Sequence, residues 1–207
     1  MQEESLLSIE KLTLHFKTER GIVQAVDGID FSLPLLAEAE GLLQGEPPGP
    51  DLRVSFQQAD LVADKWETGF EAGSLDGVLA FAVLHHIPSA ARRQRLLERV
   101  RRLLKPGGLF IHSEWQFQNS PRLLARVQPW SVAGIDESEL EEGDWLLDWR
   151  YRAGGGLEKP GLRYVHLFSR EELAGLAAAS GFEILTEFES DGKEGRLALY
   201  QVWRLTS

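Results

Sequence analysis

Cysteine is absent from the 207 residues, which excludes disulfides, thiolate zinc sites and a cysteine nucleophile. Long apolar runs are absent too. None approaches the roughly 18 residues that a membrane span needs, and the opening Met1-Gln2-Glu3-Glu4 is acidic where a signal peptide would be basic. The cytoplasm is therefore the expected location. Positive charge is in deficit, 22 Lys and Arg against 32 Asp and Glu for a net charge of −10, so the surface as a whole disfavours indiscriminate polyanion binding. Metal-ligand spacing is missing as well. The five histidines, at 15, 85, 86, 112 and 166, show neither helical i, i+4 spacing nor carboxylate partners, and no metal site is expected.

What is present, 43% hydrophobic and 26% charged residues, is ordinary for one soluble globular domain with a single core. The charge is uneven. Arg92, Arg93, Arg95, Arg99, Arg101, Arg102 and Lys105 form a basic island broken only by Glu98. Two readings stand: the solvated face of an amphipathic helix, or a docking stripe for a phosphate backbone.

Residues 5–33 read as two strands around the turn Thr18-Glu19-Arg20-Gly21, the first alternating over residues 7–16. Pro34 opens a helix with Leu35, Leu36, Ala39, Leu42 and Leu43 on its apolar face. A Pro/Gly turn at residues 45–50 precedes a short strand at 52–56. Residues 75–84 are a near-continuous apolar run, expected of a central parallel strand buried on both faces. Ser89 is placed to cap the next helix, whose stripe is Leu96, Leu97, Val100, Leu103 and Leu104. Lys105-Pro106-Gly107-Gly108 stops it before a strand at 109–112, giving a right-handed parallel crossover. Residues 113–161, with Trp115, Trp130, Trp145, Trp149 and the Gly154-Gly155-Gly156 break, read as an irregular but ordered lid insertion. Ser169-Arg170-Glu171-Glu172 is a capping box opening a helix that ends at Gly181. Residues 182–188 and 197–203 close the chain as a hairpin around Asp191-Gly192.

The stretches "LDGVLAFAVLHHIP" and "LLERVRRLLKPGGLFIHSEW", with the closing helix and hairpin, resemble a class I S-adenosylmethionine-dependent methyltransferase over roughly residues 28–205. "AVLHHIP", "EEGDWLLDW" and "RYVHLFSREEL" are most similar to methyltransferases of the wobble-uridine tRNA type. The resemblance implies an α/β fold, a Rossmann-like sheet with a C-terminal antiparallel hairpin, and S-adenosylmethionine as cofactor. It also implies a D-x-G-x-G turn about 20 residues before the acid that holds the ribose, where only glycine lets the backbone come close. Upstream of Asp30 the chain has only Gly28 and Gly21.

Residues 6–33 instead resemble the N-terminal β-hairpin of a peptide-uptake ABC-transporter ATPase, in which an aromatic at the position of Phe16 would stack on adenine. No G-x-x-x-x-G-K-[ST] loop occurs in the chain, so ATP hydrolysis is excluded and Phe16 is expected to be a packing residue. The expected organisation is an N-terminal hairpin segment, residues 1–27, fused to a truncated methyltransferase domain, residues 28–207, with the junction within residues 28–33.

On the methyltransferase resemblance Asp30 would hold the ribose, and Ala59, Asp60 and Leu61 would contact adenine. Ala80, Phe81 and Ala82 would line the methionine side, although a core role is the simpler reading for Ala82. His85, His86, Glu114 and Trp115 are candidates to border the methyl acceptor, with Trp115 offering a stacking face. For the two histidines a structural reading stands beside this one: one imidazole caps the turn after the strand and the other packs beneath the lid. A tRNA or a small carboxylic acid is the implied acceptor, and a non-catalytic remnant of the fold is the competing reading.

Overall fold

The computed structural model describes residues 8–10, 13–15, 17–18, 21–22, 25–30, 32–45, 53–151 and 159–206. The expected roles of Phe16 and of the Gly154-Gly155-Gly156 break lie outside the described residues. Two compact units divide the chain, Met1–Trp66 and Glu67–Ser207.

In the first unit β1 (Ser8–Glu10) pairs antiparallel with β2 (Thr13–His15), and β3 (Lys17–Thr18) with β4 (Gly21–Ile22). There are thus two short hairpins where one was expected, and the second turns at residues 18–21 as its sequence predicts. β5 (Ala25–Asp30), α1 (Leu33–Gly45) and β6 (Arg53–Gln58) follow, with β5 parallel to β6 from Ala25 opposite Arg53 to Asp30 opposite Gln58. A parallel pair needs a crossover, and α1 supplies it. Along α1, Leu36 is buried and Ala39 and Leu43 are half-buried, a stripe at i, i+3 and i+7. Leu35 and Leu42 flank that stripe and are 55% and 56% exposed, so the apolar face is narrower than expected.

The second unit opens with β7 (Leu75–Phe81), α2 (Ala90–Leu103) and β8 (Leu104–Trp115). β7 is shorter than the predicted 75–84. It stops because Ala82 takes a left-handed φ of 55° and Leu84–His86 winds into a 3-10 turn. Ala80 is the one residue of β7 that is buried, so burial on both faces is not seen. Leu96, Leu97, Val100 and Leu103 form the inward stripe of α2 as predicted, joined by Arg93. Leu104 already belongs to β8.

Ser89 does not cap α2 with its side chain; it adopts φ 69°, and Glu141 Oε1 accepts the Ala90 N–H at 2.7 Å instead. Arg92, Arg95, Arg101 and Arg102 are exposed, which matches a solvated helix face, while Arg93 turns inward. Leu75 pairs with Leu104 and Gly77 with Leu109, so Lys105-Pro106-Gly107-Gly108 bulges out of the ladder. A Cβ at Gly108 would meet the Lys105 carbonyl oxygen at 2.9 Å.

The segment expected to be irregular is mostly ordered secondary structure. After α3 (Pro121–Leu124), the strands β9 (Val127–Gln128), β10 (Asp144–Tyr151) and β11 (Lys159–His166) form an antiparallel sheet in the order β11-β10-β9. Phe117, Leu147 and Val165 make its buried cluster, with Trp115, Leu123, Val127 and Leu167 packed around them. Trp115 is therefore partly a core residue.

α4 (Arg170–Ala179) is capped by Ser169 Oγ, which accepts the Glu172 N–H at 3.0 Å, and is reversed by Gly181 at φ 79°. β12 (Phe182–Ser190) and β13 (Ala198–Leu205) form the predicted hairpin, and the sheet order is β12-β13-β8-β7 with β7 parallel to β8. No helix among the described residues is long and apolar enough to cross a membrane.

Candidate functional site

The carboxyl ends of β7 and β8 lie side by side. Phe81 is paired with Ser113, and the Ala82 N–H donates to the Ser113 carbonyl at 3.0 Å. Ligands of open α/β sheets bind at such ends. Ala82 is half-buried, so the core role that was its simpler reading holds only in part. Its left-handed backbone costs about 1–3 kcal/mol and persists only because the surroundings enforce it.

The four acceptor candidates meet just beyond. His85 places Nδ1 2.8 Å from Glu114 Oε2 and donates its backbone N–H to the same oxygen at 3.0 Å. The other carboxylate oxygen, Oε1, lies 2.9 Å from His112 Nδ1. His85, His112 and Glu114 are all completely buried. Burial alone would raise the Glu114 carboxyl, but the hydrogen bonds from His112 and His85 outweigh it and hold the group below its usual range. A carboxylate only accepts, so each Nδ1 carries a hydrogen. The expectation that the histidines lack carboxylate partners is therefore corrected. His112 was missed, although His112-Ser113-Glu114 on a strand puts the first and third side chains on one face.

His85 also stacks on Trp115, with ring centroids 5.3 Å apart, and His86 sits edge-on to both at 4.3 and 5.7 Å. His86 Nδ1 lies 2.9 Å from the Tyr164 carbonyl of β11. The carbonyl can only accept, so this nitrogen is the donor and Nε2 is the free acceptor. Burial, reinforced by His85, pushes His86 down to about 4. The ring is neutral at physiological pH. Neither imidazole caps the turn: His85 is bonded to Glu114 and His86 to β11, and both border the strand ends. The Arg163 guanidinium lies 5.6 Å from the centre of the Trp115 ring.

Behind this cluster lies a second ionic group. His166 Nδ1 is 2.6 Å from Asp144 Oδ1, and its Nε2 is 2.8 and 3.0 Å from the two Glu172 oxygens. The Tyr164 hydroxyl donates to Asp144 Oδ1 at 2.6 Å. Buried Arg93 donates to Glu141 Oε2 at 2.7 Å, to Glu172 Oε1 at 3.4 Å and to the Ile87 carbonyl at 3.2 Å. Donor atoms of Glu141, Asp144 and His166 lie within 4.8 Å of one another. The carboxylate oxygens accept from Arg93, Tyr164, His166 and backbone N–H groups, and His166 spends both nitrogens on carboxylates, so the cluster reads as a hydrogen-bonded ion network.

The nucleoside candidates lie in the first unit. Asp30 ends β5, its Oδ1 accepts the Ser32 N–H at 2.7 Å, and its carbonyl accepts the Ala59 N–H at 3.0 Å. Asp60 folds back similarly, with Oδ1 on the Val62 N–H at 3.0 Å. Asp30, Ala59, Asp60 and Leu61 are thus gathered at the carboxyl ends of β5 and β6, while Ala80, Phe81 and Ala82 belong to the second unit. An acid at a strand end followed by a helix is the hydrogen-bond acceptor that a ribose diol requires.

A family model described as a methyltransferase domain matches residues 11–187. A candidate methyltransferase of Encephalitozoon cuniculi is 32% identical over 173 residues, covering 82% of this chain and 69% of that protein. A tRNA (carboxymethyluridine(34)-5-O)-methyltransferase of Arabidopsis thaliana is 32% identical over 56% of this chain, which spans only 26% of that longer protein. Among solved structures, an S-adenosylmethionine-dependent methyltransferase of Methanosarcina mazei superposes with a TM-score of 0.61 at 21% identity, covering 88% of this chain and 82% of that one. At that identity the likeness concerns the fold alone.

Proposed function

The chain belongs to the methyltransferase domain family, and from that membership we propose that it transfers a methyl group from S-adenosylmethionine to a tRNA or to a small carboxylic acid, in the cytoplasm. The observation that carries this reading is the meeting of His85, His86, Glu114 and Trp115 at the adjoining ends of β7 and β8. Asp30 holds the ribose, Ala59, Asp60 and Leu61 the adenine, and Ala80, Phe81 and Ala82 the methionine side. When bound, the cofactor supplies an electrophilic methyl group, and the protein's part is to position the acceptor and exclude water. His86 Nε2 accepts a hydrogen bond from an acceptor N–H or O–H; an acceptor carboxylate needs no such help. Trp115 provides a ring face for a base, and the named activity of the Arabidopsis relative supports the nucleic-acid branch.

The same proposal includes a handicap. Upstream of Asp30 only Gly28 and Gly21 are available, so the backbone contacts of a glycine-rich turn are lacking, and residues 1–27 are a segment of separate origin joined within residues 28–33. Each charge-assisted hydrogen bond so lost costs about 1.5–3 kcal/mol, and two weaken binding roughly a hundredfold or more. The competing reading is a non-catalytic remnant of the fold. Calorimetric titration of the full chain with S-adenosylmethionine tests the proposal. Weak binding abolished by Asp30→Ala is the expected result. Binding unaffected by Asp30→Ala would sink the role given to Asp30, and no binding at all would leave the remnant reading.

A further inference from the structure

We propose that His166 is a positioning residue for His86: as a doubly donating imidazolium it clamps Asp144 of β10 to Glu172 of α4, and the clamp holds the two backbone carbonyls that border His86. The importance of His86 rests on the methyltransferase reading; the clamp itself rests on geometry. Both nitrogens of His166 face carboxylates, at 2.6 Å on one side and 2.8 Å on the other. A neutral imidazole carries one hydrogen and would set a lone pair against one of these anions. Only the imidazolium satisfies both.

The charged and titratable groups around the ring give the same answer. Asp144 comes from β10, Tyr164 from β11, Glu141 from the turn before β10, Glu172 from α4 and Arg93 from α2. Three carboxylates thus face a single guanidinium, and a protonated His166 supplies the second positive charge. Burial disfavours that charge and Arg93 opposes it, yet the bonds to Glu172 and Asp144 prevail and raise His166 above its ordinary value.

The route to the site is short. Asp144 Oδ1, gripped by His166, also accepts the Tyr164 hydroxyl, and the carbonyl of that same Tyr164 accepts His86 Nδ1–H. From the other side Arg93, anchored on Glu141 and Glu172, holds the carbonyl of Ile87, the residue after His86. β10 and α4 are therefore joined through His166, α2 is tied to the same carboxylates by Arg93, and both peptide groups held by this network border the candidate acceptor face.

The test is nitrogen NMR of the full chain with 15N-labelled histidine, followed through a pH titration. At neutral pH His166 is expected to show two protonated nitrogens and His86 one. On raising the pH, the His86 signals are expected to move with the His166 midpoint, and in Glu172→Gln that one midpoint, read at both residues, falls by about one pH unit or more. Asp144→Asn serves the same purpose should Glu172→Gln not fold. A neutral His166 at pH 7 would overturn the proposal, as would His86 signals that stay fixed while His166 titrates. Stoichiometric shifts of the His166 signals on adding zinc would overturn it too, since the cluster would then be a metal site. None of these readouts uses the cofactor, so failure to bind S-adenosylmethionine would count against the methyltransferase site and leave the clamp standing.

Discussion

His86 Nδ1 and the Tyr164 carbonyl oxygen are 2.9 Å apart, and that contact assigns the imidazole a single tautomer. Its donor faces the insertion sheet, and its lone pair is left on Nε2. Because burial keeps the ring neutral down to about pH 4, the lone pair is available throughout the physiological range. The partner is a backbone atom, so no side-chain substitution at Tyr164 removes it directly.

His86→Gln should therefore lower kcat by about 100-fold on an acceptor that presents an N–H or O–H, with S-adenosylmethionine affinity unchanged. On a carboxylate acceptor the same change should alter kcat little. Steady-state kinetics on both acceptor types, with calorimetric affinities, make the comparison. Equal losses on the two would mean that His86 only supports the fold.

Glu114 offers a stability prediction. Its carboxylate takes three hydrogen bonds, two from imidazole nitrogens and one from the His85 backbone, in a fully buried setting. Glu114→Gln keeps the shape but turns one acceptor into a donor that faces another donor. The expected loss is about 3 kcal/mol, read as a lower midpoint in urea denaturation. A variant as stable as the wild type would show that the two histidines re-form their bonds elsewhere.

Gly108 gives a third. In the bulge of β8 an added Cβ would lie 2.9 Å from the Lys105 carbonyl oxygen, and this neighbour is backbone, not a side chain that can swing away. Gly108→Ala should cost about 1–3 kcal/mol without touching the strand ends. Thermal denaturation measures it, and an unchanged Tm would mean that the bulge relaxes freely.

Much of the second unit was legible because its signals are local. The apolar run of β7, the stripe of α2, the KPGG break and the Ser169 cap are each set within a few residues, and each element is found, although β7 ends three residues early, Leu104 falls to β8, and the Glu172 side chain turns to His166 and Arg93. The insertion sheet was not legible. β10 and β11 are separated by a Gly-rich stretch that masks their pairing, and they bury only part of their apolar residues. Arg93 was hidden for a different reason. Within a run of arginines it looks like one more solvated charge, and its partners Glu141 and Glu172 lie 48 and 79 residues away. His112 and Glu114 carry a readable strand signal, since alternate residues share a face, but His112 is covered by Trp203 of the closing hairpin, about 90 residues on.

Acid sensitivity follows from the histidines, which act in opposite directions. His86 titrates near 6.5 when unfolded and at about 4 in the fold. As pH falls below 6.5 the unfolded chain takes up a proton that the folded chain refuses, so stability declines until about pH 4 and then levels off for this group. The full span is worth about 3 kcal/mol. His166 is raised in the fold, so its contribution is complete below the ordinary histidine value and is lost as pH rises through the raised one. Glu114 and Asp144 are lowered; they stabilise above the ordinary carboxyl range and cease to do so as pH falls through their depressed values. The melting temperature should therefore pass through a maximum near neutrality and fall on both sides. His86→Asn should flatten the acid limb between pH 6.5 and about 4, and His166→Asn should flatten the alkaline limb while lowering stability near neutrality. Differential scanning fluorimetry across the pH range reads all three proteins. A wild-type Tm that stays level as pH drops from 6.5 towards 4 would show that the buried, neutral state of His86 is wrong.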